Sequence, residues 1–160
     1  MPAQEKFRGR IVESTNRFGV RRLRISKPRS VCVPASQDEL TEPGPLPDYG
    51  LNAYKCYKAK RDRGEPKLSL GDLSLADQLE TKVVRAIKTD LFCNPVDIDG
   101  AGIARPDDSL HCYKIKDQSG QPSFGGAEMF VENVFGQETL SLRQAARVCI
   151  SSAAVVQGRR

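Results

Sequence analysis

Five cysteines, at positions 32, 56, 93, 112 and 149, carry the clearest chemical signal in this 160-residue sequence. Cysteine can hold zinc, act as a nucleophile or cross-link. The spacing argues against zinc, because no Cys-x-x-Cys occurs and His111 has no histidine partner. A cysteine nucleophile needs a base beside it, and only His111-Cys112 offers one. In a strand, however, neighbouring side chains point to opposite faces, so this pair cannot share a proton. His111 therefore reads as an ordinary surface strand residue. Cross-linking fits better, since a unit of about 45 residues buries too little apolar surface to be stable without a staple.

The spacings themselves recur. Cys56 to Cys112 and Cys93 to Cys149 are both 56 residues, so Cys56–Cys93 and Cys112–Cys149 both span 37. Pairing within units joins those partners and leaves Cys32 unpaired. Pairing across units joins Cys32 to Cys56 and Cys93 to Cys112, over 24 and 19 residues, and leaves Cys149. The recurrence of 37 favours the first scheme. The alternative to both is five reduced cysteines buried in a core.

Two charged segments suggest binding chemistry. Residues 1–34 hold nine basic and two acidic residues. Within them, Arg21, Arg22, Arg24, Lys27 and Arg29 crowd one predicted strand. Alternation places Leu23 and Ile25 on one face and Arg22 and Arg24 on the other, with Arg29 beyond. Such a stripe suits a polyanion, either nucleic acid or acidic polysaccharide. Phe18 is the one aromatic residue nearby, which argues against recognition by base stacking. The second segment, Asp97-Ile98-Asp99-Gly100-Ala101-Gly102, resembles the start of a calcium loop, with Asp108 at position 12. Ala101 stands where a ligand belongs, and an Asp/Gly turn is the plainer reading. No cofactor other than calcium at Asp97, Asp99 and Asp108 is implied, and no catalytic residue is assigned.

The cysteines belong to a larger repeat. Tyr54-Lys55-Cys56-Tyr57-Lys58-Ala59-Lys60 aligns without a gap on Leu110-His111-Cys112-Tyr113-Lys114-Ile115-Lys116. Asn16-Arg17-Phe18-Gly19 matches Asn133-Val134-Phe135-Gly136, each sixteen residues before a cysteine, and Asp77-Gln78-Leu79 is a worn copy. Cys32-Val33-Pro34 matches Cys93-Asn94-Pro95. Units of this kind resemble a family of tandem repeats in secreted proteins of environmental bacteria, a domain of unknown function. The resemblance covers residues 7–150. It implies an extracellular or cell-surface, disulfide-linked, β-rich module and supplies no activity. Met1–Arg10 contains no secretory apolar segment, and the first unit has no Cys-Tyr-Lys strand. A misassigned start, or a fragment of a longer protein, would account for both.

These signals need elements to position them. Period-2 alternation outnumbers helical periodicity, and Gly/Pro breakers separate the stretches, so an all-β fold of tandem antiparallel units, sandwich or barrel-like, is expected. Each complete unit supplies strands near 54–59, 67–70, 73–79 and 82–93, and again 56 residues later. A helix over 75–86 is the weaker alternative. Phe18, Leu79, Phe135, Tyr57 and Tyr113 are expected in the core. The chain divides into a partial repeat at 7–35, a mobile Pro- and acid-rich linker at 36–52, repeats at 53–96 and 109–150, an Asp/Gly linker at 97–108 and a fraying tail at 151–160. No apolar run approaches the roughly 18 residues of a membrane helix. The sequence points to a non-enzymatic structural or adhesive module whose partner is a macromolecule or another repeat chain. The strand edge exposed by the truncated first unit offers a route to oligomers.

Overall fold

In a computed structural model of the chain, residues 3–41, 43–45 and 50–159 are described. Among them are strands and no helix. The all-β expectation is met, and 75–86 is strand and turn rather than helix.

Three hairpins organise the chain, and each is built on a copy of the Asn-x-Phe-Gly signal. β1 (Arg10–Asn16) turns into β2 (Gly19–Cys32), and Asn16 lies opposite Gly19. Two further strands lead towards the next copy, β3 (Ser36–Asp38) and β4 (Ala53–Arg61). β5 (Asp72–Ala76) then turns into β6 (Thr81–Val96). β7 (Ser109–Asp117) follows, and β8 (Ala127–Asn133) turns into β9 (Gly136–Leu142), with Asn133 opposite Gly136. In each turn the first side chain caps the backbone two residues on. Asn16 Oδ1 accepts from the Phe18 amide at 2.9 Å, Asn133 Oδ1 from Phe135 at 2.8 Å and Asp77 Oδ1 from Leu79 at 2.8 Å. The glycines that follow have φ of +111° at Gly19 and +119° at Gly136, a region costly for any residue with a Cβ. Gly136→Ala is expected to lower unfolding free energy by about 1 kcal/mol, read from the urea midpoint.

The motif is thus a turn device, and the expectation that its aromatics anchor the core is corrected. Phe135 is 72% exposed, Phe18 is half-buried against the edge of Tyr113, and Leu79 is half-buried. Tyr113 is in the core and Tyr57 packs against it, as expected.

β10 (Arg147–Arg159) completes the main sheet. The order β4-β2-β1-β10-β7-β6 is closed by pairing of β4 with β6, giving a six-stranded antiparallel barrel with β5 attached to β6. Strands from residues 7–35, 53–96 and 109–159 all contribute. Val12, Leu23, Ile25, Ala59 and Phe92 fill the barrel, as alternation along β2 requires. A second sheet, β3-β8-β9, uses Ser36–Asp38 from the segment expected to be a mobile linker. Of that segment, Glu42 and residues 46–49 lie outside the described residues. No strand forms at 67–70 or at 123–126.

The tail also differs from expectation. Residues 151–159 continue β10, and Ala153–Arg159 pair with β1. This pairing satisfies backbone groups across more than a hundred residues of sequence, which local patterning cannot reveal. It also gives β1 a partner on each side, so β1 is no free edge. Ser26–Cys32 of β2 retains β4 on one side.

Candidate functional site: a basic groove beside a sulfur row

Each disulfide joins strands that lie side by side. Cys56 on β4 stands directly opposite Cys93 on β6, and Cys112 on β7 directly opposite Cys149 on β10. Cys56–Cys93 and Cys112–Cys149 are bonded, with Cα separations of 3.9 and 4.0 Å, and Cys32 is a free, exposed thiol. This is the within-unit scheme. The first disulfide staples the pair of strands that closes the barrel.

His111 is not on the surface. It is 1% exposed, stacked on Tyr113 with ring centroids 4.1 Å apart. Its Nδ1 lies 3.3 Å from Ser14 Oγ and 3.2 Å from the Tyr113 hydroxyl, and its Nε2 2.9 Å from Thr89 Oγ1. Asn16 Nδ2 donates to the Tyr113 oxygen at 2.9 Å, so the Tyr113 proton is free to point at Nδ1. Nδ1 is then the acceptor, and Nε2–H donates to Thr89. Burial, with the positive charge of Arg21, pushes the His111 pKa down to about 4. Burial also pushes the Tyr113 phenol up. Ser14 is likewise 1% exposed, so the Ser–His pair is buried, while Thr89 reaches the lining of the basic groove. The signal was available: His111 shares strand parity with Tyr113, expected in the core, and with Ile115, which is buried too. Cys112 faces the other way, as the strand argument required.

Asp97, Asp99 and Asp108 do not converge on a metal. Among the described residues no group of three or more possible metal-ligating side chains occurs. Asp97 and Asp99 are exposed on a turn closed by the Ala101 amide donating to Ile98 O at 3.1 Å. Asp108 Oδ2 instead accepts from the Tyr54 hydroxyl at 3.1 Å. Asn52 pins the same loop, exchanging hydrogen bonds with the Arg105 backbone at 2.7 and 2.8 Å. The segment connects β6 to β7, with Asp108 held by Tyr54 rather than gathered with Asp97 and Asp99.

The basic residues do converge. A groove of about 460 Å³ is lined by Arg21, Arg24, Lys58, Lys60, Arg61, Lys67 and Lys88, with Asp90 as the acid in its lining. Ala59, Leu68 and Ile87 supply apolar surface. A neighbouring depression shares Arg24, Lys58 and Lys60 and adds Lys27 and Phe7. The strand register explains the density. Arg24 lies directly opposite Lys60 across β2 and β4, and Lys88 opposite Lys114, itself opposite Arg147. Like charges facing one another across strands cost stability. Asp62 and Asp90 offset part of it, through Arg24 at 3.9 Å and Arg147 at 2.9 Å. Arg21 and Arg61 donate to the backbone oxygens of Pro66 and Glu65, contacts that orient each guanidinium without neutralising it.

Of the residues expected to bind a polyanion, Arg21, Arg24 and Lys27 are gathered here. Arg22 turns away to Asp62 and Glu65, at 3.5 and 3.8 Å, and Arg29 lines neither depression. Sequence reasoning missed Lys58, Lys60, Arg61, Lys67 and Lys88. The alternating lysines of the Cys-Tyr-Lys strand were visible, but their meeting with β2 and β6 depends on long-range pairing.

Comparison with protein-family models, with curated proteins and with solved structures gave no match.

Proposed function

We propose that this protein is a non-enzymatic adhesive module that holds an anionic polymer along the groove between β2, β4 and β6. The observation that carries this reading is the convergence of seven basic side chains on one groove where, among the described residues, Asp90 is the one carboxylate in the lining. The like-charged strand register supports it, since a bound polyanion relieves that repulsion. Among the described residues no aromatic ring lines the main groove, which favours an acidic polysaccharide over single-stranded nucleic acid. The two disulfides suit an oxidising, extracellular setting. That setting agrees with the resemblance to secreted repeat proteins.

The test is retention on heparin and on polygalacturonate across a salt gradient, with single-stranded DNA as the competing probe. If about six cations are engaged, affinity for a highly charged polymer should fall on the order of a thousandfold between about 50 and 200 mM salt. Lys60→Glu with Lys88→Glu should abolish retention, while Arg22→Ala, outside the groove, should leave it unchanged. Equal loss from both would refute the groove. Preference for DNA over both polysaccharides would reassign the polymer.

A further inference from the structure

The five sulfurs lie in one row. Their strands, β2, β4, β6, β7 and β10, are successive neighbours around the barrel. Cys32 Sγ stands 4.0 Å from Cys56 Sγ, which is bonded to Cys93. Cys93 Sγ stands 3.9 Å from Cys112 Sγ, which is bonded to Cys149. Bonded and non-bonded contacts alternate along the row, with a free thiol at its head. Cys56, Cys93 and Cys112 are 1%, 0% and 0% exposed, whereas Cys32 and Cys149 are exposed at the two ends.

We infer that this row is a thiol–disulfide exchange relay that moves the free thiol from Cys32 to Cys149. Cys32 gives its proton to solvent, and its thiolate attacks Cys56 Sγ. A Cys32–Cys56 bond forms, the Cys56–Cys93 bond breaks, and the electron pair leaves on Cys93. The Cys93 thiolate attacks Cys112 Sγ, a Cys93–Cys112 bond forms, and the electron pair leaves on Cys149. Cys149 takes a proton from solvent. Two disulfides and one thiol are present before and after, so neither oxidant nor reductant is consumed.

The strand order puts the attacking and leaving cysteines on strands to either side of the central one. Displacement at sulfur needs the attacking and leaving groups on opposite sides of the central sulfur. β2 and β6 flank β4, and β6 and β10 flank β7. The gaps are about 0.5–1 Å longer than a near-attack contact of about 3–3.5 Å. Slack lies beside both: the β2–β4 register slips between Pro28 and Ser30, and the β6–β7 register between Thr89 and Leu91. In the starting register both disulfides join directly opposed residues. In the product register both join diagonal ones, since Cys32 faces Tyr54 and Cys93 faces Leu110. The starting register therefore predominates, and the relay exposes Cys149 as a minor thiol. Buried sulfurs in the middle shield the exchange from external thiols, so reactivity appears at the ends alone.

The experiment incubates the native protein at about pH 8.5, near the ordinary thiol pKa, with iodoacetamide as a slow trap. Digestion in acid without reductant then maps every linkage. The relay predicts carbamidomethyl groups on Cys149 as well as Cys32. Cys149-labelled molecules should carry Cys32–Cys56 and Cys93–Cys112 links, in a fraction independent of protein concentration. Cys32→Ser should reduce labelling at Cys149 to background. Label confined to Cys32 after prolonged incubation, or a Cys149 fraction that scales with protein concentration, overturns the relay. Cys149→Ser gives a second reading. Refolded in a glutathione buffer, it should adopt Cys32–Cys56 and Cys93–Cys112 with no free thiol. Retention of Cys56–Cys93 with Cys32 and Cys112 both free would overturn the proposal.

Discussion

Replacing Cys56 and Cys93 together by alanine should lower the unfolding free energy by about 4 kcal/mol, and replacing Cys112 and Cys149 should do the same. Each disulfide closes a 37-residue loop in the unfolded chain, and the chain-entropy relation assigns such a loop about 4 kcal/mol. For a chain of this length that corresponds to a fall of about 10–15 °C in melting temperature. The two loops do not overlap in sequence, so their effects on the unfolded ensemble should add. The sum, about 8 kcal/mol, is comparable to the whole stability of an ordinary domain. The four-alanine variant should therefore be unfolded at 25 °C by circular dichroism, whereas each two-alanine variant remains folded. The native-state contributions are not independent, because Cys93 and Cys112 touch at 3.9 Å. A double-mutant cycle comparing the pairs should show a coupling of about 0.5–1 kcal/mol on top of the additive loss. Urea midpoints measure all of these. A loss under about 1 kcal/mol for the Cys56–Cys93 pair would mean that the barrel seam is held by packing alone, and the same result for Cys112–Cys149 would say so of the β7–β10 pairing.

The disulfide pairing was legible because a covalent bond between strands records register in sequence spacing. A duplicated 37-residue interval leaves few geometries in which both copies hold. Class was legible too, since the alternation of Leu23 and Ile25 with arginine has one natural reading. Other features were hidden for identifiable reasons. Phe18 and Phe135 recur like core residues, but the recurrence belongs to a turn whose working parts are the asparagine cap and the positive-φ glycine. Ser151–Arg159 carries little pattern because its partner β1 lies at the other end of the chain. The groove is a property of pairing. Arg24 and Lys60 are 36 positions apart in sequence and become neighbours only once β2 and β4 are in register. His111 is a different case, in which the strand parity was correct and the polarity of the residue misled.

That same histidine should make the protein acid-sensitive well above the range where carboxylates titrate. In the unfolded chain its imidazole has a pKa near 6.5, and in the folded barrel it is pushed down to about 4. Between those values the unfolded chain binds a proton that the native barrel refuses. Stability therefore falls as pH drops through 6.5 and continues to fall until the native histidine itself titrates. The full difference corresponds to about 3 kcal/mol, of which about 2 kcal/mol is lost between pH 7 and 5. Protonation would turn Nδ1 from an acceptor into a donor facing two hydroxyls, one of which already receives the Asn16 amide. Asp38 and Asp77 are also held below the ordinary carboxylate range, by backbone amides that donate to them. Their contribution has the same sign, but it is lost only as pH falls below about 4, outside this window. Melting temperature measured from pH 7 to 5 should thus drop by about 4–8 °C. His111→Gln should be less stable at pH 7, having lost the stack on Tyr113, yet its melting temperature should be nearly flat over the same range. A variant that kept the wild-type slope would place the acid sensitivity elsewhere, because a glutamine side chain takes up no proton between pH 7 and 5.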